Sequence, residues 1–182
     1  MQTDAGKVPK KYRVHLIIFP KKCYSYETWK QATTEQKKQL LNRYALEVAE
    51  ALNVPFNGIN FYYKPPKNEI INIGLYIDKD KTITLNEYVL LGKTDIDSYE
   101  LYKTVTHELR HAYQYTAIGF YGVYGYESPH MEPASVIRIW LENISNYKTS
   151  AKDGYETYAT QPIEWDAREF AGQPHPDQTQ KS

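Results

Sequence analysis

The hydrophobic pattern switches between two periods along the chain. Tyr12–Phe19 is a β-rich run closed by Pro20, and it reads as a strand that contains His15. From Thr33 the period lengthens. Leu41, Tyr44, Ala45, Val48 and Leu52 recur three and four apart, behind Thr33-Thr34-Glu35-Gln36, which has the form of a capping box. Asn53-Val54-Pro55 stops that helix. Three more β-like runs follow, Ile59–Tyr63, Glu69–Asp78 and Lys81–Leu91, separated by the turn sequences Lys64–Lys67 and Asp78–Lys81. Together they predict a small sheet of three or four strands, mixed or antiparallel.

The second half is helical. Asp97, with Glu100 three residues on, caps a predicted helix that Gly119 would end. Wound at about 100° per residue, it separates three stripes. Leu101, Val105, Leu109 and Ala112 face a core, and Lys103, Arg110 and Gln114 face solvent. Thr104, His107, Glu108, His111 and Tyr115 run between them. Phe120–Met131 reads as a Gly- and Tyr-rich loop able to rim a site. Pro133 opens a helix with Val136, Ile137, Trp140, Leu141 and Ile144 on one face. Lys148–Thr160 reads as loop, and a last short helix is bracketed by Pro162 and Gly172. The expected organisation is a flexible arm over 1–11, one α+β domain over 12–172 and a disordered tail over 173–182.

Composition narrows the classes. A chain of 182 residues suffices for one domain with a real core. Its 22 basic and 22 acidic residues cancel, so no charge excess points to nucleic acid or an anionic membrane. The single cysteine, Cys23, excludes an intramolecular disulfide and a thiolate metal cluster within one chain. No apolar run has the length of a signal peptide core or a membrane span, so a soluble cytoplasmic protein is expected. Tyrosine is abundant, with 18 copies, most of which are expected to be core-boundary residues.

Candidate chemistry lies in the stripe between core and solvent. His107-Glu108-Leu109-Arg110-His111 is a His-Glu-x-x-His pattern. Residues four apart share a helix face, so two imidazoles can meet one Zn2+ ion, and Glu108 beside them can act as a general base on water. A catalytic zinc takes three protein ligands and keeps one position open. An extended three-histidine pattern is excluded, because Gln114 and Ala117 stand where its Gly and third His would be. The third ligand must therefore come from downstream. Glu164 is the preferred choice, since Ala167 one turn later allows close approach of its helix; Glu132, Glu142, Glu169 and His130 are the alternatives. Tyr155 and Tyr158 are candidate donors to a developing oxyanion, with His130 and Tyr126 behind them.

His-Glu-Leu-Arg-His, followed by Glu-x-x-Ala-x-x-Phe-Ala at Glu164, Ala167, Phe170 and Ala171, resembles the gluzincin metallopeptidases. It looks most like their compact ImmA/IrrE-like group. The resemblance spans about Leu101–Gly172; Arg168 stands where that group has Asn. It implies a zincin-like domain with a small sheet packed on the motif helix. It also implies zinc ligands His107, His111 and Glu164, with Glu108 as general base. Zinc-dependent hydrolysis of a peptide or protein substrate follows, with a regulatory protein as one possible substrate. In zinc peptidases an edge strand before the motif helix often pairs with substrate, which makes Lys81–Leu91 the candidate, with an ordinary core strand as the alternative. Two rival readings stand beside this one: a zinc-holding regulatory protein with little general proteolysis, and a structural protein in which the histidines hold no metal.

Overall fold

A computed structural model describes residues 22–66, 71–125 and 132–174. The expected strand Tyr12–Phe19, the terminal arm and nearly all of the tail lie outside them, as do Tyr126, His130 and Met131. The fold is α+β, mostly helical with one small mixed sheet. In chain order the elements are α1 (Tyr26–Gln31), α2 (Thr34–Leu52), β1 (Ile59–Tyr62), β2 (Gly74–Ile77), β3 (Thr82–Asn86), α3 (Glu87–Leu90), α4 (Leu101–Tyr124), α5 (Ala134–Ser145), α6 (Ser150–Asp153), α7 (Tyr155–Thr160) and α8 (Pro162–Phe170). Two compact units divide the described residues, one ending at Ala112 and the other beginning at Tyr113. The division falls inside α4, which runs through it without a break. No helix among the described residues is long and apolar enough to cross a membrane.

In the first unit, α2 begins as its sequence dictates. Thr33 Oγ1 accepts from Gln36 N–H, and Gln36 Oε1 accepts from Thr33 N–H, completing the capping box. The helix ends at Asn53, whose left-handed φ of 53° suits that residue type. The sheet has the order β1-β3-β2, with β1 parallel and β2 antiparallel to β3. This corrects the expectation for Lys81–Leu91. Its strand, β3, is central and paired on both sides, so it offers no edge to a substrate. The reason lies in topology rather than in composition: β2 turns back onto one side of β3 while β1 takes the other.

Aromatic side chains hold α4 against α2. Tyr102 lies with ring centroids 4.9 Å from Tyr44, 5.1 Å from Trp29 and 5.2 Å from Tyr99. Thr106 Oγ1 donates to Tyr102 O at 2.9 Å, so the 2.8 Å contact between Thr106 Oγ1 and Tyr44 Oη has the phenol as donor. That bond fixes the rotation of α4 one residue before His107. Burial is the main cause that raises the hydroxyl pKa of Tyr24, Tyr44, Tyr99 and Tyr102 above the ordinary phenol value. Because the folded values lie above the unfolded value near 10, the stabilisation these groups give is complete below about pH 10 and is lost as pH rises through the folded values. A spectrophotometric titration at about pH 11 is expected to show fewer ionised tyrosines than the 18 in the chain, the rest appearing only when urea is added. Full ionisation in the folded protein would contradict this.

Gly74 sets the distance between β2 and α4. A Cβ there would lie 2.8 Å from Thr104 Cγ2 and 2.9 Å from Leu85 Cδ2. Gly74→Ala is expected to lower stability by about 1–3 kcal/mol through overpacking, read as a lower urea midpoint; an unchanged midpoint would show that the strand moves freely. From Gly74 to Tyr76 the strand advances about 6.7 Å, and from Thr104 to Glu108 the helix advances about 6 Å. The two elements therefore remain in step, and their next contact is between Tyr76 and Glu108.

The apolar stripe of α4 is as expected: Leu101, Val105, Leu109 and Ala112 are buried. The expected solvent stripe is not. Arg110 is 3% exposed and Gln114 is wholly buried, and only Lys103 retains partial exposure. A single-helix projection cannot anticipate elements supplied by distant sequence. Nor does Gly119 end the helix, which continues to Tyr124 before Gly125 turns at φ 60°. Glycine inside a helix costs only about 1 kcal/mol, and the stacked pair Phe120–Tyr124 (5.7 Å) lies beyond it. Residues 120–124 of the expected rim loop are therefore helical.

In the second unit, Gln114 of α4 holds α8. Its Nε2 donates to Ile163 O at 3.0 Å and to Asp166 Oδ2 at 2.7 Å. Asn143 of α5 receives the Ile163 N–H at 3.0 Å, supplying the cap that Gln161 does not give. Gln161 in turn is bonded to Lys148 in both directions, N–H to Oε1 at 3.0 Å and Nε2 to O at 2.9 Å. Val136, Ile137 and Trp140 of α5 are buried as expected, but Leu141 is 45% exposed. The expected loop Lys148–Thr160 contains α6 and α7, which are too short to reveal a helical period in sequence.

Candidate metal centre

His107 and His111 lie one turn apart on α4, with their Nε2 atoms 3.1 Å from each other. The rings stand nearly perpendicular, at 83°. Two nitrogens bound tetrahedrally to one zinc at 2.0–2.1 Å are separated by about 3.3 Å, so the pair already has the spacing of a shared ion. His107 is 6% exposed and His111 half-buried. Thr106, held by Tyr44, and Leu109, packed in the core, leave α4 little freedom to rotate.

Glu108 is buried at 7% exposure. Its Oε2 accepts from the backbone N–H of Tyr76 at 2.8 Å. In the register of β2 with β3, Tyr76 is opposite Ile83, and Ile83 N–H points to Gly58 O on the β1 side. The Tyr76 N–H therefore belongs to the outer edge of β2. The strand edge that comes to the site is β2, and Glu108 takes one of its donors.

Glu164 stands in the first turn of α8 and is 1% exposed. That depth exceeds what dipole complementation at a helix start requires. Burying a carboxylate is costly without partners, and Tyr147 Oη donates to Glu164 Oε1 at 2.5 Å. Burial first, then the charge of Glu164, drives the Tyr147 hydroxyl far above its ordinary pKa. It stays protonated and remains a donor. One potential donor atom from each of His107, His111 and Glu164 lies within 4.8 Å of the others, the only such trio among the described residues. These three can hold a metal ion.

The chain matches no family model, no curated protein and no solved structure.

Two imidazoles and a carboxylate suit a borderline divalent cation and leave coordination positions for water or substrate. Tyr147, by its hydrogen bond to Glu164 Oε1, gives the carboxylate a partner of the kind that supports carboxylates at metal sites. Of the alternative third ligands within the described residues, Glu132 is buried while Glu142 and Glu169 are exposed, and none of these three joins the histidine pair. Tyr158 is half-buried, with its ring 6.2 Å from Tyr147. Tyr155 is 56% exposed, and its ring lies beneath Arg168 at 5.5 Å.

Sequence reasoning missed Tyr147, the Tyr76 N–H and the Gln114–Asp166 bond. Gln114 gave a signal: it stands three residues after His111 in a stretch otherwise rich in alanine and tyrosine. Tyr147 gave none, being one tyrosine among 18. A backbone donor has no sequence signature.

Proposed function

We propose that this chain is a zinc-dependent peptidase, with His107, His111 and Glu164 as zinc ligands and Glu108 as general base. The observation that carries the reading is the trio of close donor atoms with Glu108 on the same helix as both histidines. A zinc ion bound there supplies Lewis acidity, which polarises a carbonyl and makes a water easier to deprotonate.

The protein's own groups do the rest. Tyr76 N–H steadies Glu108 through Oε2. Glu108 takes the proton of the attacking water on its carboxylate and returns it to the departing amine. Tyr147 keeps the Glu164 carboxylate in one orientation. Tyr158 is the proposed hydrogen-bond donor to the developing oxyanion. Tyr155 is the outer candidate for that role, with its ring engaged by Arg168. Burial of His107, Glu108 and Glu164 limits bulk water around the charges and strengthens each electrostatic contact.

The test is incubation of the zinc-loaded protein with a mixed peptide library, with mass spectrometry of the products. New termini that disappear on chelation and return with zinc support the reading. Intact peptides in the presence of stoichiometric zinc contradict it and favour a zinc-holding regulatory protein.

A further inference from the structure

Arg168 lies one turn after Glu164 on α8 and is half-buried. Its Nε is buried and makes no hydrogen bond to any described residue, and its guanidinium makes no ion pair among them. What it does contact is the face of the Tyr155 ring, 5.5 Å from its centroid. A cation over a ring face at this distance is attracted to it without using its N–H donors, which stay available to an acceptor. The fork of five donors matches a carboxylate through two parallel bonds. Arg168 is thus charged, held from one side by a ring and not neutralised among the described residues, although Glu164 is a single helical turn away. An i,i+4 ion pair between them would be the ordinary arrangement for a helix, and it is not formed.

From this geometry, and resting on the peptidase reading above, we infer that Arg168 on its Tyr155 platform binds a carboxylate of the peptide substrate. The charges are consistent with this. If Glu164 is committed to a cation, the positive charge of Arg168 is left to an incoming anion. Cβ atoms four apart on a helix are about 6 Å from each other, and an extended peptide covers about 3.4 Å per residue. The recognised carboxylate therefore sits about two residues from the bond cut beside Glu164. Either a C-terminal carboxylate or an acidic side chain meets that requirement.

The experiment measures peptide binding to zinc-loaded protein carrying Glu108→Gln, so that the peptides stay intact. One pair of peptides differs only in a C-terminal free acid or amide. A second, amidated pair differs only in Glu or Gln two residues from the cleaved bond. In one pair the carboxylate member is expected to bind about ten- to a hundredfold tighter, as charge-assisted hydrogen bonds imply. Which pair responds identifies the source of the carboxylate. Adding Arg168→Met should bring that ratio close to one, and Arg168→Lys should retain part of it. Urea midpoints and circular dichroism check that the variants fold, and Arg168→Gln replaces Arg168→Met if the latter does not. Equal affinity within both pairs, or a ratio indifferent to Arg168, overturns the inference. Turnover by the wild-type chain is read separately. Carboxylate preference without cleavage would sink the peptidase reading and leave the anion site, whereas cleavage with a ratio indifferent to Arg168 would do the reverse.

Discussion

Glu108→Gln is expected to lower kcat for peptide hydrolysis by about a thousandfold, within the range that general-base catalysis spans, while zinc remains bound at one ion per chain. The substitution suits the question because it changes so little else. The amide oxygen introduced in place of the carboxylate can still accept from Tyr76 N–H, a bond that Glu108 Oε2 makes at 2.8 Å. The buried site therefore keeps its hydrogen bond and loses only the ability to hold a proton. KM should change far less than kcat, since the loss falls on the transition state. Activity within about tenfold of wild type, below the effect expected of a general base, would mean that another group takes the proton.

The second large effect is expected at Glu164. Glu164→Ala should weaken zinc binding by more than about a hundredfold, because losing even an outer partner of a ligand costs ten- to a hundredfold. Its effect on the metal-free protein is a separate quantity, set by relief of the carboxylate's desolvation against the lost Tyr147 hydrogen bond and the volume left empty. The two contributions separate in a melting experiment. Zinc at a hundred times its Kd stabilises a protein that binds it by about 2.7 kcal/mol. The wild-type Tm should therefore rise on adding zinc and the Glu164→Ala Tm should not. An equal rise in both would remove Glu164 from the ligand set.

How much of this is legible in the sequence depends on whether the cause is local. The capping box at Thr33, the core stripe of α4 and the facing of His107 with His111 follow from helical period and neighbouring side chains, and the structure has all three. Glu164 is legible in part, through its position at the start of a short Pro-led helix and the small Ala167 behind it. What fails depends on distant sequence. Gln114 reads as a solvent-facing residue until Ile163 and Asp166 come to it across 49 and 52 positions. The order of strands cannot be read from their sequence: the place of β3 just before the motif helix suggests an edge, and it is the centre of the sheet. Helices α6 and α7 are too short for a period to show.

The site shows the same division. Its histidine pair announces itself by residue type and spacing, while the contacts around the candidate ligands are a phenol from another loop and a backbone N–H from a strand edge. Gly74 is the residue that links the two levels, because only a missing Cβ lets β2 come close enough to α4 for Tyr76 to reach Glu108.

The central claim is that His107, His111 and Glu164 hold one zinc ion. Native mass spectrometry of the chain after zinc addition and removal of excess metal tests it most directly. One zinc per wild-type chain is expected, and none when His107→Ala and His111→Ala are combined in a folded variant. A wild-type chain that takes up no zinc, or a double variant that binds it as well as wild type, would contradict the claim.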